Sequence, residues 1–176
     1  MSLDLPIGGR SNIPVSMLKK VGGEMKRRTI LFAAVTMVPV AALPSAAKTA
    51  LPRIEVYKGP NCGCCGAWVD HLLGAGFPVK VIEVSDPGAV RKRHGIPDQY
   101  GSCHTGVVAG YALEGHVPAD DVKRLLAQKP LGAGLAVPGM PVGSPGMEVG
   151  ARKDPFKVLF IDKAGASSIF ATYPRT

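Results

Sequence analysis

From Arg53 onward the chain alternates between the two-residue period of strands and the spacing of helices. Ile54-Glu55-Val56-Tyr57 is a short β-rich run that leads straight into a cysteine-bearing loop. Behind that loop Ala67, Trp68, Val69, Leu72 and Leu73 recur at helical spacing until Gly74 and Gly76 stop the pattern. Residues 79–84 (VKVIEV) predict a second strand. Residues 87–93 predict a short helix with Pro87 at its start and Ser85 or Asp86 as its cap. A loop with Pro97 and Tyr100 carries the chain to Cys103-His104, after which TGVVAGYALEGHV reads as a strand, a turn at Glu114-Gly115 and a return strand. Residues 119–129 are amphipathic, with Val122, Leu125 and Leu126 on one face.

This β-α-β-α-β-β-α order places the chain in the α/β class and resembles a thioredoxin fold, a mixed sheet flanked by helices. In that fold a strand delivers a cysteine motif to the N-terminus of the first helix. The loop before the third strand, which normally carries a cis-proline, faces it. Here Cys103-His104-Thr105 occupies that place. Residues 130–150 are rich in Gly and Pro, hold Met140 and Met147, and read as a long loop without regular structure. KVLFID and ASSIFATY then predict a C-terminal β-hairpin extension of the sheet, turning at Ala164-Gly165.

The segment ahead of this pattern has a different character. Residues 25–47 combine a basic start (Lys26, Arg27, Arg28), an apolar run from Ile30 to Leu43, and small residues ending at Ala47. That is the layout of a signal peptide, and the run is too short for the ~20 residues of a membrane span. Export to the periplasm with no stable membrane anchor after cleavage is therefore expected. The Sec route is favoured over the twin-arginine route that Arg27-Arg28 loosely suggests. Residues 1–24 read as an over-extended start, and residues 48–176 as a single domain. At 46% hydrophobic residues the chain suits one ordinary core. Removing residues 1–47 takes six of the 21 basic and two of the 13 acidic side chains, leaving 15 against 11, a net +4. The remaining basic residues are scattered and lack interleaved aromatics, which argues against nucleic acid as a partner.

The chemistry concentrates in Asn61-Cys62-Gly63-Cys64-Cys65-Gly66, which holds three of the four cysteines. Cysteines at a helix N-terminus ionise more readily, and thiolates are both nucleophiles and metal ligands. Cys62 and Cys65 alone form the CxxC spacing of dithiol exchange. Cys64 complicates that, because a third thiolate can attack the pair and because three like charges call for a cation. Soft thiolates select Cu(I) or the borderline Zn(II), and thiolate sulfur can bridge more than one ion. Cys103 and His104, expected across the cleft, add ligands. Met140 and Met147 are thioether candidates for Cu(I), weighed against plain packing. Structural disulfides are the competing account of the cysteines. His116 reads as a surface residue, His71 and His94 as solvated, and Trp68 as core.

VYKGPNCGCCGAWVDHL, SCHTGVVAGYALEGHVPADDVKRLL and GLAVPGMPVGSPGMEVG together resemble the CopG-type family of small bacterial copper-resistance proteins, over residues 53–173. The resemblance implies a periplasmic thioredoxin-like domain with a multinuclear copper cluster bridged by cysteines, working between Cu(I) and Cu(II). Cys62, Cys64, Cys65, Cys103 and His104 match the motif of that family. A copper-binding oxidoreductase is the leading expectation, with copper ions and other periplasmic copper-handling proteins as partners. Copper sequestration or delivery without turnover, and thiol–disulfide exchange through Cys62 and Cys65, are the alternatives. Zinc fits the same ligand set.

Overall fold

The computed structural model describes residues 50–174, so the over-extended start expected at 1–24 and the signal peptide expected at 25–47 lie outside the described residues. Strand β1 (Ile54–Lys58) buries Ile54 and Val56 and runs into helix α1 (Gly63–Gly74). Strand β2 (Val79–Glu83) and helix α2 (Pro87–Arg93) follow, and the choice of cap is settled on Asp86, whose Oδ1 accepts the Ala89 N–H at 3.0 Å. A 3-10 turn at Asp98–Tyr100 precedes β3 (His104–Val108) and β4 (Tyr111–Glu114). Helix α3 (Ala119–Gln128), β5 (Gly134–Ala136), β6 (Phe156–Ile161) and β7 (Ser167–Tyr173) complete the order.

The seven strands form one mixed sheet in the order β2-β1-β3-β4-β5-β6-β7. β1 and β2 are parallel, as are β4 and β5, and the other neighbours are antiparallel. One face carries the main core: Trp68 and Leu72 of α1 with Val122 and Leu125 of α3 pack on Val56, Leu113, Leu135 and Val158. Alternation along the strands turns Ala112, Ala136 and Ile161 to a smaller cluster with Ile96. Trp68 is core as expected, and its indole N–H donates to the Val117 carbonyl at 2.9 Å.

Two expectations are corrected. The hairpin between β3 and β4 turns at Ala109-Gly110, not at Glu114-Gly115. Both turn residues have positive φ, 48° and 87°, the handedness that matches the twist of two paired strands. Residues 130–150 are not wholly loop either, since β5 lies between β4 and β6 inside the sheet. The C-terminal hairpin does extend the sheet, with β6 pairing β5.

Candidate metal centre

Cys62 is the N-cap of α1, and Cys64 and Cys65 sit in its first turn, where no acidic side chain opposes the positive end of the helix dipole. Cys103 comes from the segment leading into β3, which pairs with β1, so one strand pairing brings the two halves together. The Cys64 sulfur is 3.7 Å from that of Cys62 and 3.8 Å from that of Cys103, and Cys65 is 3.7 Å from Cys103. All four sulfurs lie within 4.8 Å of one another. Cys62 and Cys65 are joined as a disulfide, with Cα atoms 5.4 Å apart, while Cys64 and Cys103 are free thiols. The four-sulfur ligand set is therefore that of the reduced chain, two electrons away from this pairing.

Two histidines adjoin the sulfurs, and both are fully buried. His104 Nδ1 is 3.3 Å and His116 Nε2 3.6 Å from the Cys103 sulfur. His104 is packed between rings, 4.4 Å from Trp68 and 4.9 Å from His116 between centroids. Its Nδ1 is the ring nitrogen turned to the sulfurs, so that is the nitrogen placed to act as a ligand there. The Pro145 carbonyl, 2.9 Å from His116 Nδ1, can only accept, so the proton sits on Nδ1 and the Nε2 lone pair faces Cys103. Burial, reinforced by His116, pushes the His104 pKa down to about 3, and burial lowers that of His116. Both rings are neutral at neutral pH, the form in which an imidazole can bind a metal. Burial, followed by the neighbouring Cys64 thiol, pushes the Cys103 pKa up to about 11. A cation would have to supply the opposing pull.

This arrangement has a consequence for acid stability. The unfolded chain takes a proton on His104 near its ordinary value of 6.5, while the folded chain resists until about 3. Stability is full above pH 6.5 and falls as the pH drops toward 3, by on the order of 1 kcal/mol per unit from one buried group. Thermal melts of reduced, chelator-treated protein from pH 7 to pH 5 should show this slope, and a His104→Phe variant should make it shallower, with the share of His116 and His71 remaining. Equal slopes in the two proteins would refute the assignment.

Comparison with known proteins agrees with the chemistry. A family described as a protein of unknown function, DUF411, matches residues 100–147. Two solved structures of a copper resistance protein CopG, forms 2 and 1, are 48% and 47% identical to this chain. They cover 70% and 71% of it and 99% of their own chains, each with a TM-score of 0.67.

The chain belongs to the CopG copper-resistance family.

No curated protein sequence matches it. For this member of the CopG family the structure brings together Cys62, Cys64, Cys65, Cys103 and His104. It adds His116, which is no surface residue. Register is the signal that could have found it. The β3–β4 pairing runs to Thr105↔Glu114, and continuing it two residues further puts position 103 opposite position 116. Placing the turn at Glu114-Gly115 hid that. His71 is not free in solvent either, since its Nε2 accepts the Ala119 N–H at 3.0 Å.

The segment holding Met140 and Met147 runs past the site. The Gly139 carbonyl accepts the Ser102 hydroxyl at 2.6 Å, one residue from Cys103. Gly146 lies so close to α1 that a Cβ there would meet the Trp68 nitrogen at 2.7 Å. Met140 is 52% exposed and Met147 is partly buried. No described helix is long and apolar enough to cross a membrane.

Proposed function

We propose that this chain is an exported, periplasmic copper-handling protein whose reduced cysteines hold more than one copper ion and interconvert Cu(I) and Cu(II). The observation that carries this reading is the group of four sulfurs within 4.8 Å of one another, bordered by two neutral buried histidines. Thiolates favour Cu(I) and imidazole suits Cu(II), so a mixed set serves both oxidation states better than either ligand type alone. Cys62, Cys64, Cys65 and Cys103 are the sulfur ligands, with His104 and His116 as the nitrogen ligands. Met140 and Met147, in the stretch after β5 that runs past the site, are the candidates for outer Cu(I) ligands. The buried Trp68 ring against His104 and the Pro145 carbonyl against His116 hold the imidazoles in place. Other periplasmic copper-handling proteins are the partners for delivery and removal, and zinc is the metal that competes for this ligand set.

Metal analysis with electron paramagnetic resonance tests this reading. Mature protein reduced and loaded anaerobically with Cu(I) should carry several coppers per chain and be silent. Oxidant should raise a Cu(II) signal that a reductant removes. Retention of zinc in preference to copper, or a signal that cannot be reversed, would overturn the redox reading.

A second reading is favoured by one observation, the Cys62–Cys65 disulfide at the start of α1. The first four strands, in the order β2-β1-β3-β4 with β3 antiparallel to both neighbours, support the likeness to thioredoxin. Thiol–disulfide exchange through Cys62 and Cys65 is the function that arrangement suits. Cys64, lying 3.7 Å from Cys62, counts against it as a competing nucleophile.

A further inference from the structure

Glu114, the last residue of β4, is 1% exposed, an unusual place for a carboxylate. Its two oxygens have separate partners. Oε1 accepts the Ser102 backbone N–H at 2.6 Å, and Oε2 accepts the Thr105 hydroxyl at 2.7 Å. These donors flank Cys103 and His104 on either side. Arg91 of α2 brings Nη1 to 3.8 Å from Oε1 but shares its charge with Asp98, and burial, ahead of these partners, still pushes the Glu114 pKa up. Burying a carboxylate is costly unless it is bonded and paired. An apolar side chain of similar size would avoid the cost but could not accept from both flanks at once.

Downstream of Cys103 the chain is already held by the sheet, the Gly115 N–H donating to the His104 carbonyl at 3.0 Å. Upstream, Ser102 precedes the strand and has two tethers: its N–H to Glu114 and its hydroxyl to the Gly139 carbonyl. The Glu114 contact is the one that ties this flank to the sheet. We infer that Glu114 is a positioning residue that holds the Cys103 sulfur against Cys64 and Cys65 by fixing both flanks of the Cys103-His104 segment to β4. It touches no ligand sulfur and acts through Ser102 and Thr105.

The test compares alkylation of Cys103 and Cys64 by N-ethylmaleimide in the mature chain with its Cys62–Cys65 disulfide intact. The two thiols lie in separate tryptic peptides and are read by mass spectrometry. Glu114→Ala removes both acceptors and should raise the Cys103-to-Cys64 rate ratio about tenfold, as the segment opens more often. Glu114→Gln should stay within about threefold of wild type, because its carbonyl still accepts from Ser102 and its amide can donate to the Thr105 oxygen. Thr105→Val, lacking one of the two bonds, should rise by at least about threefold and decides the matter if Glu114→Ala does not fold. Leu125→Ala, in the core under α3, should lower the melting temperature and leave the ratio unchanged. An unchanged ratio in Thr105→Val or a folded Glu114→Ala, or an equal rise in Leu125→Ala, would overturn the inference.

A second arm rests on the copper reading proposed above. After reduction, Glu114→Ala should retain Cu(I) about tenfold less well against a chelator, and Glu114→Gln should stay close to wild type. Wild-type protein that retains no copper would end that reading while leaving the alkylation result to decide the role of Glu114. Equal retention by wild type and Glu114→Ala would count against the positioning role alone.

Discussion

Cys64→Ser is expected to weaken Cu(I) retention by at least about a hundredfold, since even the outer partners of metal ligands are worth 10–100-fold. Cys64 is the sulfur between the two halves of the site, 3.7 Å from Cys62 on the helix cap and 3.8 Å from Cys103 on the facing segment. Serine has nearly the same shape, but its hydroxyl stays protonated at neutral pH and its oxygen is a hard donor that suits Cu(I) poorly. The Cys62–Cys65 pair is untouched by the change, so an exchange activity resting on that pair should survive. Copper per chain after dialysis against a Cu(I) chelator, measured beside reduction of an insulin disulfide, separates the two readings. Full copper retention in Cys64→Ser would remove the four-sulfur site. Lost retention with no exchange activity in either protein would remove the thioredoxin-type alternative.

The largest effect on folding is expected at Gly134. An added Cβ there would lie 1.9 Å from the Ala112 carbonyl oxygen and 2.7 Å from two other backbone atoms of the same residue. Those atoms belong to β4, and β5 is hydrogen-bonded on its other side to β6, so neither neighbour can move aside without breaking a sheet pairing. Gly134→Ala should lose more than about 4 kcal/mol, enough to leave most marginally stable domains unfolded. Circular dichroism melts of Gly134→Ala beside Gly150→Ala give the comparison. Gly150 has open space around it, and its positive φ of 57° should cost only about 1 kcal/mol. A folded Gly134→Ala protein with a melting temperature near wild type would show that β5 does not approach β4 this closely.

Much of the fold was legible because the governing interactions are local. The spacing of Trp68, Val69 and Leu72 gave away α1, Pro87 behind Asp86 marked the start of α2, and Lys163-Ala164-Gly165 marked the last hairpin. β5 was not legible. Its three residues are too short for a period to show, and what makes Gly134 strand-like is the backbone of β4 beside it. The first hairpin misled because Ala109 takes a positive φ, which alanine rarely does, whereas Gly115 looked the better turn residue and in fact follows the strand. That single misplacement moved His116 from the metal centre to the surface.

The sequence by itself determined the donor chemistry: three cysteines at the entry to a helix, a Cys-His pair before a strand, and a family pattern that couples them. Those are properties of residue type and short-range spacing, which survive without knowledge of any long-range contact. Only the tertiary structure decided which distant groups share the site. The pairing of β3 with β1 sets Cys103 against Cys64 and Cys65, and the register of β3 with β4 brings in His116 and Glu114. Strand register is a collective choice of the whole sheet, made by which faces can be buried together, and no single segment of the chain carries it.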